Sequence, residues 1–216
     1  MDFDFAFAWS IVPDLLRGLL VTVQVVLLGF ALAVAIGLLM AMAERAPSKA
    51  LHRAVRAYLG FFRSTPLMVQ LYLLFFALPL AGLTLPAIAT GVIGLGLYYG
   101  AYIAEAFRGA IDDVPPGQWE AAKALDFSRG VTWRRLILPQ ALKPMLPVLG
   151  NYLIGMFKET PLLAVITIPE LFLAAKQVAG MSYRYTEPYT LMALMFLAIS
   201  VPTSLAFKYL EHRRHA

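Results

Sequence analysis

Residues 18–43 carry no charge, and only Thr22 and Gln24 interrupt their run of apolar and small side chains. A helix crosses the hydrocarbon of a bilayer with about 20 mainly apolar residues. In water, such a segment would have to be wrapped on every side by the rest of a short chain. The composition leaves little to wrap it with. Of the 216 residues, 60% are hydrophobic and 14% charged, whereas soluble domains carry about 25% charged residues. The run is too long for the apolar part of a cleaved signal peptide, and the acidic Asp2, Asp4 and Asp14 precede it where such a peptide is basic. The chain is therefore expected to be an all-α integral membrane protein. It has no cysteine, which excludes disulfides, thiolate nucleophiles and Cys-ligated metal centres.

The same length criterion finds four further apolar stretches. With the first they predict about five transmembrane helices, at residues 18–43, 67–85, 86–104, 146–169 and 189–207, in a single domain covering 1–216. Most Lys and Arg residues fall in two connections and the tail: Arg45, Lys49, Arg53 and Arg56; then Arg108, Lys123, Arg129, Arg134, Arg135 and Lys143; then Lys208, Arg213 and Arg214. Arg17, Lys176 and Arg184 fall on the other side. Basic loops stay in the cytoplasm. The C-terminus is therefore expected inside and the N-terminus outside, as an odd number of spans requires. The basic excess serves orientation and does not imply a nucleic-acid partner.

Residues 109–145 form a long connection on the cytoplasmic side, and a connection of that length is usually functional. The sequence predicts two short helices there. The first, 118–125, follows Pro115-Pro116-Gly117. The second has Ser128 as N-cap and runs to Leu138, stopped by Pro139. Asp126 and Phe127 lie between them. Trp119, Ala122 and Leu125 share a helical stripe, with Gln118 and Lys123 elsewhere. The pair is either an interfacial helix hairpin or a docking platform for a cytoplasmic protein.

Ionisable groups inside apolar spans are costly and become candidates for function. Lys158 and Glu159 interrupt the fourth span. As neighbours on a helix they point about 100° apart, so at least one faces the bundle. Pro161 weakens the helix beside them and frees carbonyls. Contact with a zwitterionic solute competes with pairing to a neighbouring helix. Glu105 and Arg108, three residues apart, fit an ion pair at the end of span three, with a gate as the alternative. Tyr98 and Tyr102 share a face, beside Tyr99 and the close-packing Gly94, Gly96 and Gly100. Gln70, near the Pro66 break, is a further candidate for the solute path. Trp9 and Tyr209 suit the membrane interface. His52, His212 and His215 lie in polar flanks, and no metal site is expected. The sequence holds no Gly-x-x-x-x-Gly-Lys-Ser/Thr phosphate loop.

Several segments taken together are similar to one family. Glu120-Ala121-Ala122-Lys123-Ala124-Leu125-Asp126, followed by Leu136-Ile137-Leu138-Pro139, resembles the EAA loop of bacterial ABC-transporter permeases. It departs from the pattern at Asp126, where the family has Gly, and mildly at Leu136. Asp tolerates a left-handed backbone better than most residues. Arg63-Ser64-Thr65-Pro66-Leu67-Met68-Val69-Gln70 resembles a segment of polar amino acid permeases, as do Ala104–Gly109, Val114–Ala122 and Lys158–Leu162. Gly150-Asn151-Tyr152-Leu153-Ile154 running into Phe157–Pro161 is most similar to permeases for ectoine and hydroxyectoine.

The resemblance implies a type I ABC importer permease fold in the bacterial inner membrane. It implies import of a polar amino acid or a zwitterionic compatible solute such as ectoine. The EAA loop would be a coupling helix, with Gln118, Glu120, Ala121, Ala122, Leu125, Asp126, Phe127, Ser128, Leu138 and Pro139 at or near the ATPase. The implied partners are ABC ATPase subunits, an extracytoplasmic solute-binding protein and a second permease copy or paralogue. ATP and Mg would be held by the ATPase, with no cofactor in this chain. Two other classes compete. A secondary carrier commonly shows repeated halves, and no repeat is evident here. An intramembrane enzyme needs a base and nucleophile or a metal cluster at membrane depth, and no histidine lies in a span.

Overall fold

The computed structural model describes residues 3–215, with side chains through residue 209. Asp2 and the side chains of His212, Arg213, Arg214 and His215 lie outside that part. The described residues form nine α-helices joined by short turns and by π and 3-10 segments, with no strand among them. Three helices are long and apolar enough to cross a membrane, and up to five spans result if two bent helix pairs each count as one.

α1 (Phe5–Ala43) starts well before residue 18. Asp4 begins it by accepting the Phe7 N–H at 3.0 Å, one of the donors that a helix start leaves unpaired. At 1.5 Å per residue the helix is roughly 58 Å long, so it projects well beyond a hydrocarbon layer of about 30 Å.

The second predicted span, 67–85, is not one helix. α2 (Lys49–Ser64), capped by Ser48, occupies much of what reads as a polar loop. The chain then bends by 109° into α3 (Leu67–Tyr72), which passes into a π turn at Leu73–Ala77 and a 3-10 turn at Leu78–Ala81. Pro66 is the cause. It lacks an N–H and pushes the preceding residue out of the helical region, and Thr65 is extended at φ −117° and ψ 142°. The buried Gln70 holds the bend. Its Nε2 donates to the Phe62 carbonyl, the Thr65 carbonyl and Thr65 Oγ1 at 3.1, 3.1 and 2.7 Å.

α4 (Ala87–Asp112) continues about two turns past residue 104. It lies along α1, and the contact is close because both helices present glycines. A Cβ added at Gly96 would stand 2.6 Å from a methyl of Leu32, and one at Gly37 would stand 2.5 Å from a methyl of Ile103. α2 is tied to the same helix by Tyr58, whose hydroxyl donates to the Leu97 carbonyl at 2.6 Å. The main core joins α1 and α4 to the following helices, with Val25, Leu95, Ile103, Phe107, Met145 and Met156 buried.

α5 (Pro116–Ala124) is the first helix of the long connection at residues 109–145. α6 (Arg129–Val131) starts at Ser128, whose Oγ accepts the Val131 N–H. Pro139 does not stop this second helix. A π turn at Thr132–Ile137 leads straight into α7 (Leu138–Glu159), which also contains Pro144 and Pro147. Pro139 falls in the first turn of α7, where a missing donor costs little, and the wider π turn absorbs the change of register.

α7 ends in a 3-10 segment, Thr160–Ile166. Pro161 leaves the carbonyl four residues back without its helical donor, and Thr160 Oγ1 donates to that Phe157 oxygen at 2.8 Å. Thr167 follows at φ 63°, a strained value for a β-branched residue. Next comes α8 (Leu171–Ser182), at 54° to the preceding segment. The span criterion overlooks this helix because twelve residues are too few to cross a bilayer. Its start is well made. Glu170 accepts the Phe172 and Leu173 N–H groups at 2.8 and 2.7 Å, and Thr22 of α1 accepts the Leu171 N–H at 3.1 Å. α9 (Thr186–His215) contains the fifth predicted span and extends it at both ends.

Candidate functional site

The candidate residues fall into two groups, one inside the helix bundle and one around α5 at its end. Inside, α4 presents Tyr98, Tyr99 and Tyr102. The hydroxyls of Tyr98 and Tyr102 are 3.3 Å apart. Tyr99 is buried and meets Tyr152 of α7 edge-on, with ring centroids 6.1 Å apart. Tyr99 also packs against Gly155, where a Cβ would come within 3.2 Å of its hydroxyl. Tyr98 and Tyr99 both lie within electrostatic reach of Glu159, at the end of α7, and the Tyr99 hydroxyl is also a hydrogen-bond partner of its carboxyl group.

Glu159 and Lys158 go opposite ways, as their spacing requires. Glu159 is half-buried, and its Oε2 is buried with no hydrogen-bond partner among the described residues. A buried acceptor left unpaired costs about 1–3 kcal/mol, so this oxygen is placed to receive a donor. Lys158 is exposed in a groove of about 410 Å³ between α7 and α9, lined by Pro161, Met192, Phe196, Leu197 and Ser200. Asn151, two turns earlier on α7, is exposed too. Gln70 sits at the α2–α3 bend, and its buried Oε1 is likewise unpaired.

Glu105 lies one turn below Tyr102 on α4 and accepts from two arginines. Arg108 donates through Nη2 at 2.9 Å and Nε at 3.2 Å, the pair expected from the sequence. Arg63 of α2 adds a second salt bridge at 3.2 Å, and its guanidinium stands over the Tyr102 ring, 5.8 Å from the centroid. No sequence spacing links residues 63 and 105. The packing of α2 against α4 brings them together.

In the second group, α5 closes with the left-handed turn expected at position 126. Asp126 has φ 51°. The Asp126 N–H donates to the Lys123 carbonyl at 3.1 Å, and the Phe127 N–H to the Ala122 carbonyl at 2.9 Å. This is the C-terminal cap that glycine usually supplies. Glu120 and Ala121 are exposed, Phe127 is 39% exposed, and Pro139 is exposed beside a half-buried Leu138. The expected stripe of Trp119, Ala122 and Leu125 needs correcting. Trp119 and Ala122 pack inward, but Leu125 is 65% exposed, because the helix ends at Ala124 and the capping turn swings the next residue outward. Gln118 accepts from Gln140 Nε2 at 3.3 Å, tying α5 to α7. The sequence reading missed Arg45 and Asp112. They form an ion pair beside Trp119, and their opposite charges at two helix ends were the only available signal.

At the opposite end of the bundle, Arg184 joins Asp4 at 2.9 Å and Glu187 at 3.1 Å. The Asp4 N–H donates to Glu187 at 3.1 Å. The Phe7 N–H, and then Arg184, hold the Asp4 carboxyl below its usual range. Trp9 is exposed near this end and Tyr209 near the other.

A bent, glycine-packed bundle of long apolar helices with a carboxylate inside, one of whose oxygens is unpaired, and a capped helix at one end describes a membrane transport subunit. Residues 33–216 match the family of binding-protein-dependent transport system inner membrane components, and the chain belongs to that family. It is an inner-membrane, multi-pass permease subunit of the amino acid ABC transporter type. A probable amino-acid ABC transporter permease protein, y4tG of Sinorhizobium fredii, is 38% identical over 208 residues, covering 96% of this chain and 90% of that protein. The glutamine transport system permease protein GlnP of Escherichia coli K12 is 34% identical over 215 residues, covering 99% and 98%. Among solved structures, an amino acid ABC transporter crystallised with histidines superposes with a TM-score of 0.89 at 34% identity, over 99% of this chain and 100% of that one. The MetNI methionine ABC transporter in an inward-facing form shares the fold, with a TM-score of 0.75 at 20% identity over 93% and 96%.

Proposed function

We propose that this permease subunit imports a small zwitterion, a polar amino acid or a related compatible solute, on energy delivered through α5 by a separate ABC ATPase. The observation that carries the reading is the Glu159 carboxylate. It offers a buried, unpaired oxygen among the tyrosines of α4 and Tyr152 of α7. The ammonium group of a zwitterion supplies both the missing donor and the missing counter-charge, and tyrosine faces favour a cation nearby. Small polar solutes named for the relatives, glutamine among them, belong to this class. Ectoine is a narrower member of it and is separated from amino acids by competition in uptake.

The remaining parts follow from this reading. Two permease copies, or one and a paralogue, enclose the path. The exposed Lys158 and Asn151 on α7 then face that path or the second copy, because a charge at membrane depth does not face lipid. Glu120, Ala121, Phe127 and Ser128 meet the ATPase, which holds ATP and Mg. An extracytoplasmic binding protein delivers the solute. The N-terminus lies outside and the C-terminus in the cytoplasm. The test is Glu159→Gln in proteoliposomes containing the ATPase. Uptake of labelled L-glutamine or ectoine falls at least tenfold while the ATPase still co-purifies. Uptake at the wild-type rate overturns the assignment. Solute that equilibrates without ATP would instead mean a channel or a secondary carrier.

A further inference from the structure

α4 carries its polar groups on one stripe. Tyr98, Tyr102, Glu105, Arg108 and Asp112 follow one another at spacings of three or four residues, which keeps them on one helix face. The contacts along the stripe are continuous. Tyr98 meets Tyr102, Arg63 bridges Tyr102 and Glu105, and Arg108 joins Glu105 and Asp112, the latter at 3.2 Å. The stripe begins at the tyrosine cluster and ends on the last residue of α4.

Just past that residue the rigid element breaks. Asp113, Val114 and Pro115 separate α4 from α5, and a short non-helical link of this kind absorbs motion as a hinge. The space beneath α5 is not densely packed. A cavity of about 600 Å³, lined by Met42, Trp119, Ala122, Phe127 and Trp133 among others, opens between α5 and the end of α1. One side chain spans both the hinge and the cavity. Arg45, just beyond α1, pairs with Asp112 on the α4 side of the break and lies over the Trp119 ring on the α5 side, 5.6 Å from its centroid. Trp119 is braced in turn by Trp133, edge-on at 5.5 Å.

From this geometry we infer that Arg45 and Asp112 are positioning residues, a clamp that locks α5 to the ends of α1 and α4 so that the three move as one body. A push on α5 then reaches the Arg63–Glu105 pair and the tyrosines instead of being spent in the Asp113–Pro115 hinge. The inference rests on the reading of α5 as the ATPase-docking helix, and the test separates the two.

The chain has no cysteine, so two introduced cysteines take spin labels without a background. Gly60 on α2, which Tyr58 and Arg63 tie to α4 so that it reports on that helix, and Gly117 on α5 are suitable, because a Cβ at either meets nothing within 4 Å. The distance between them is measured in the full complex with the ATPase, nucleotide-free and trapped with ATP and vanadate. In the wild type it is a single narrow distribution that does not change on trapping. In Asp112→Asn and Arg45→Gln the distribution broadens or shifts on trapping. ATP-driven uptake of L-glutamine or ectoine falls at least fivefold, while co-purification and basal ATP hydrolysis stay within twofold. Arg45→Lys, which keeps a cation for both Asp112 and the Trp119 face, retains the narrow distribution, an outcome that general misfolding cannot produce. Narrow distributions in both single variants, or a wild-type distance that changes on trapping, overturn the clamp and leave ATPase docking intact. Failure of the wild type to bind any ATPase overturns the docking reading and the clamp with it.

Discussion

α4 and α7 both contribute to the same tyrosine–carboxylate cluster, α4 from its middle and α7 from its end, yet they are built on opposite principles. α4 runs unbroken from Ala87 to Asp112, seated against α1 through glycines and carrying a ladder of ion pairs. α7 holds Pro139, Pro144 and Pro147, starts from a π turn and dissolves into a 3-10 segment directly after Glu159. Proline removes helical hydrogen bonds, and π and 3-10 turns mark places where a helix gives way. One wall of the cluster is thus a stiff rod reaching down to α5. The other is a compliant strip carrying the charged groups. A transporter that must pass its solute from one side to the other needs both, a lever and a surface that rearranges.

The contrast can be broken most forcefully at the α1–α4 contact. Gly96→Leu forces a side chain into space already held by Leu32. It should cost about 3 kcal/mol or more, at the upper end of overpacking effects, and be read as lost monodispersity and a lower Tm in detergent. A mild effect would mean that α4 is not seated as a rod. Pro147→Ala should act the other way on α7. Restoring a helical donor there raises stability, by about 1 kcal/mol after allowance for lost packing, and lowers the uptake rate if α7 must bend. A gain in stability with unchanged uptake would remove flexibility from the account of α7. Asp126→Gly tests the loop that joins the two helices. Replacing a residue held at φ 51° by glycine relieves roughly 0.5–1 kcal/mol of backbone strain, so Tm rises slightly and ATPase docking persists.

The smallest effect is expected at the Asp4–Arg184 contact, far from both. Because the Asp4 carboxyl is held below its usual range by the Phe7 N–H and by Arg184, its contribution is fully present above the ordinary carboxylate pKa. It is lost as the pH falls through the lowered value. Asp4→Asn should therefore lower Tm slightly at pH 7, and the difference from the wild type should vanish in strong acid. A difference that grows on acidification would contradict the assigned direction.

How much of this was legible in the sequence depends on the range of the interactions. Residues 18–43, Ser128 as a cap and the left-handed Asp126 are local matters, settled by a run of side chains or by one residue's backbone preference. Ser128 and Asp126 emerge as read, while the helix over 18–43 begins earlier, at Phe5. The Pro66 break was visible, but the 109° bend it makes was not, because it is held by Gln70 reaching back across the turn. Pro139 was misread because a proline stops a helix only when the preceding turn cannot adjust, and the π turn adjusts. α8 was invisible to a criterion based on crossing length. Within the site, Glu159, Tyr98, Tyr102 and Glu105 could be picked out as polar groups in apolar surroundings. Arg63, Tyr152, Arg45 and Asp112 join them only through tertiary contacts between separate helices.

The central claim is that a zwitterion neutralises the Glu159 carboxylate and that this event governs work done by a separate ATPase. Its most direct test is ATP hydrolysis by the reconstituted complex with and without binding protein loaded with L-glutamine or ectoine, for wild type and Glu159→Gln. The account predicts that loading stimulates the wild type several-fold, and that the variant assembles normally and hydrolyses ATP at the unstimulated rate in both conditions. Equal stimulation of wild type and variant would contradict it.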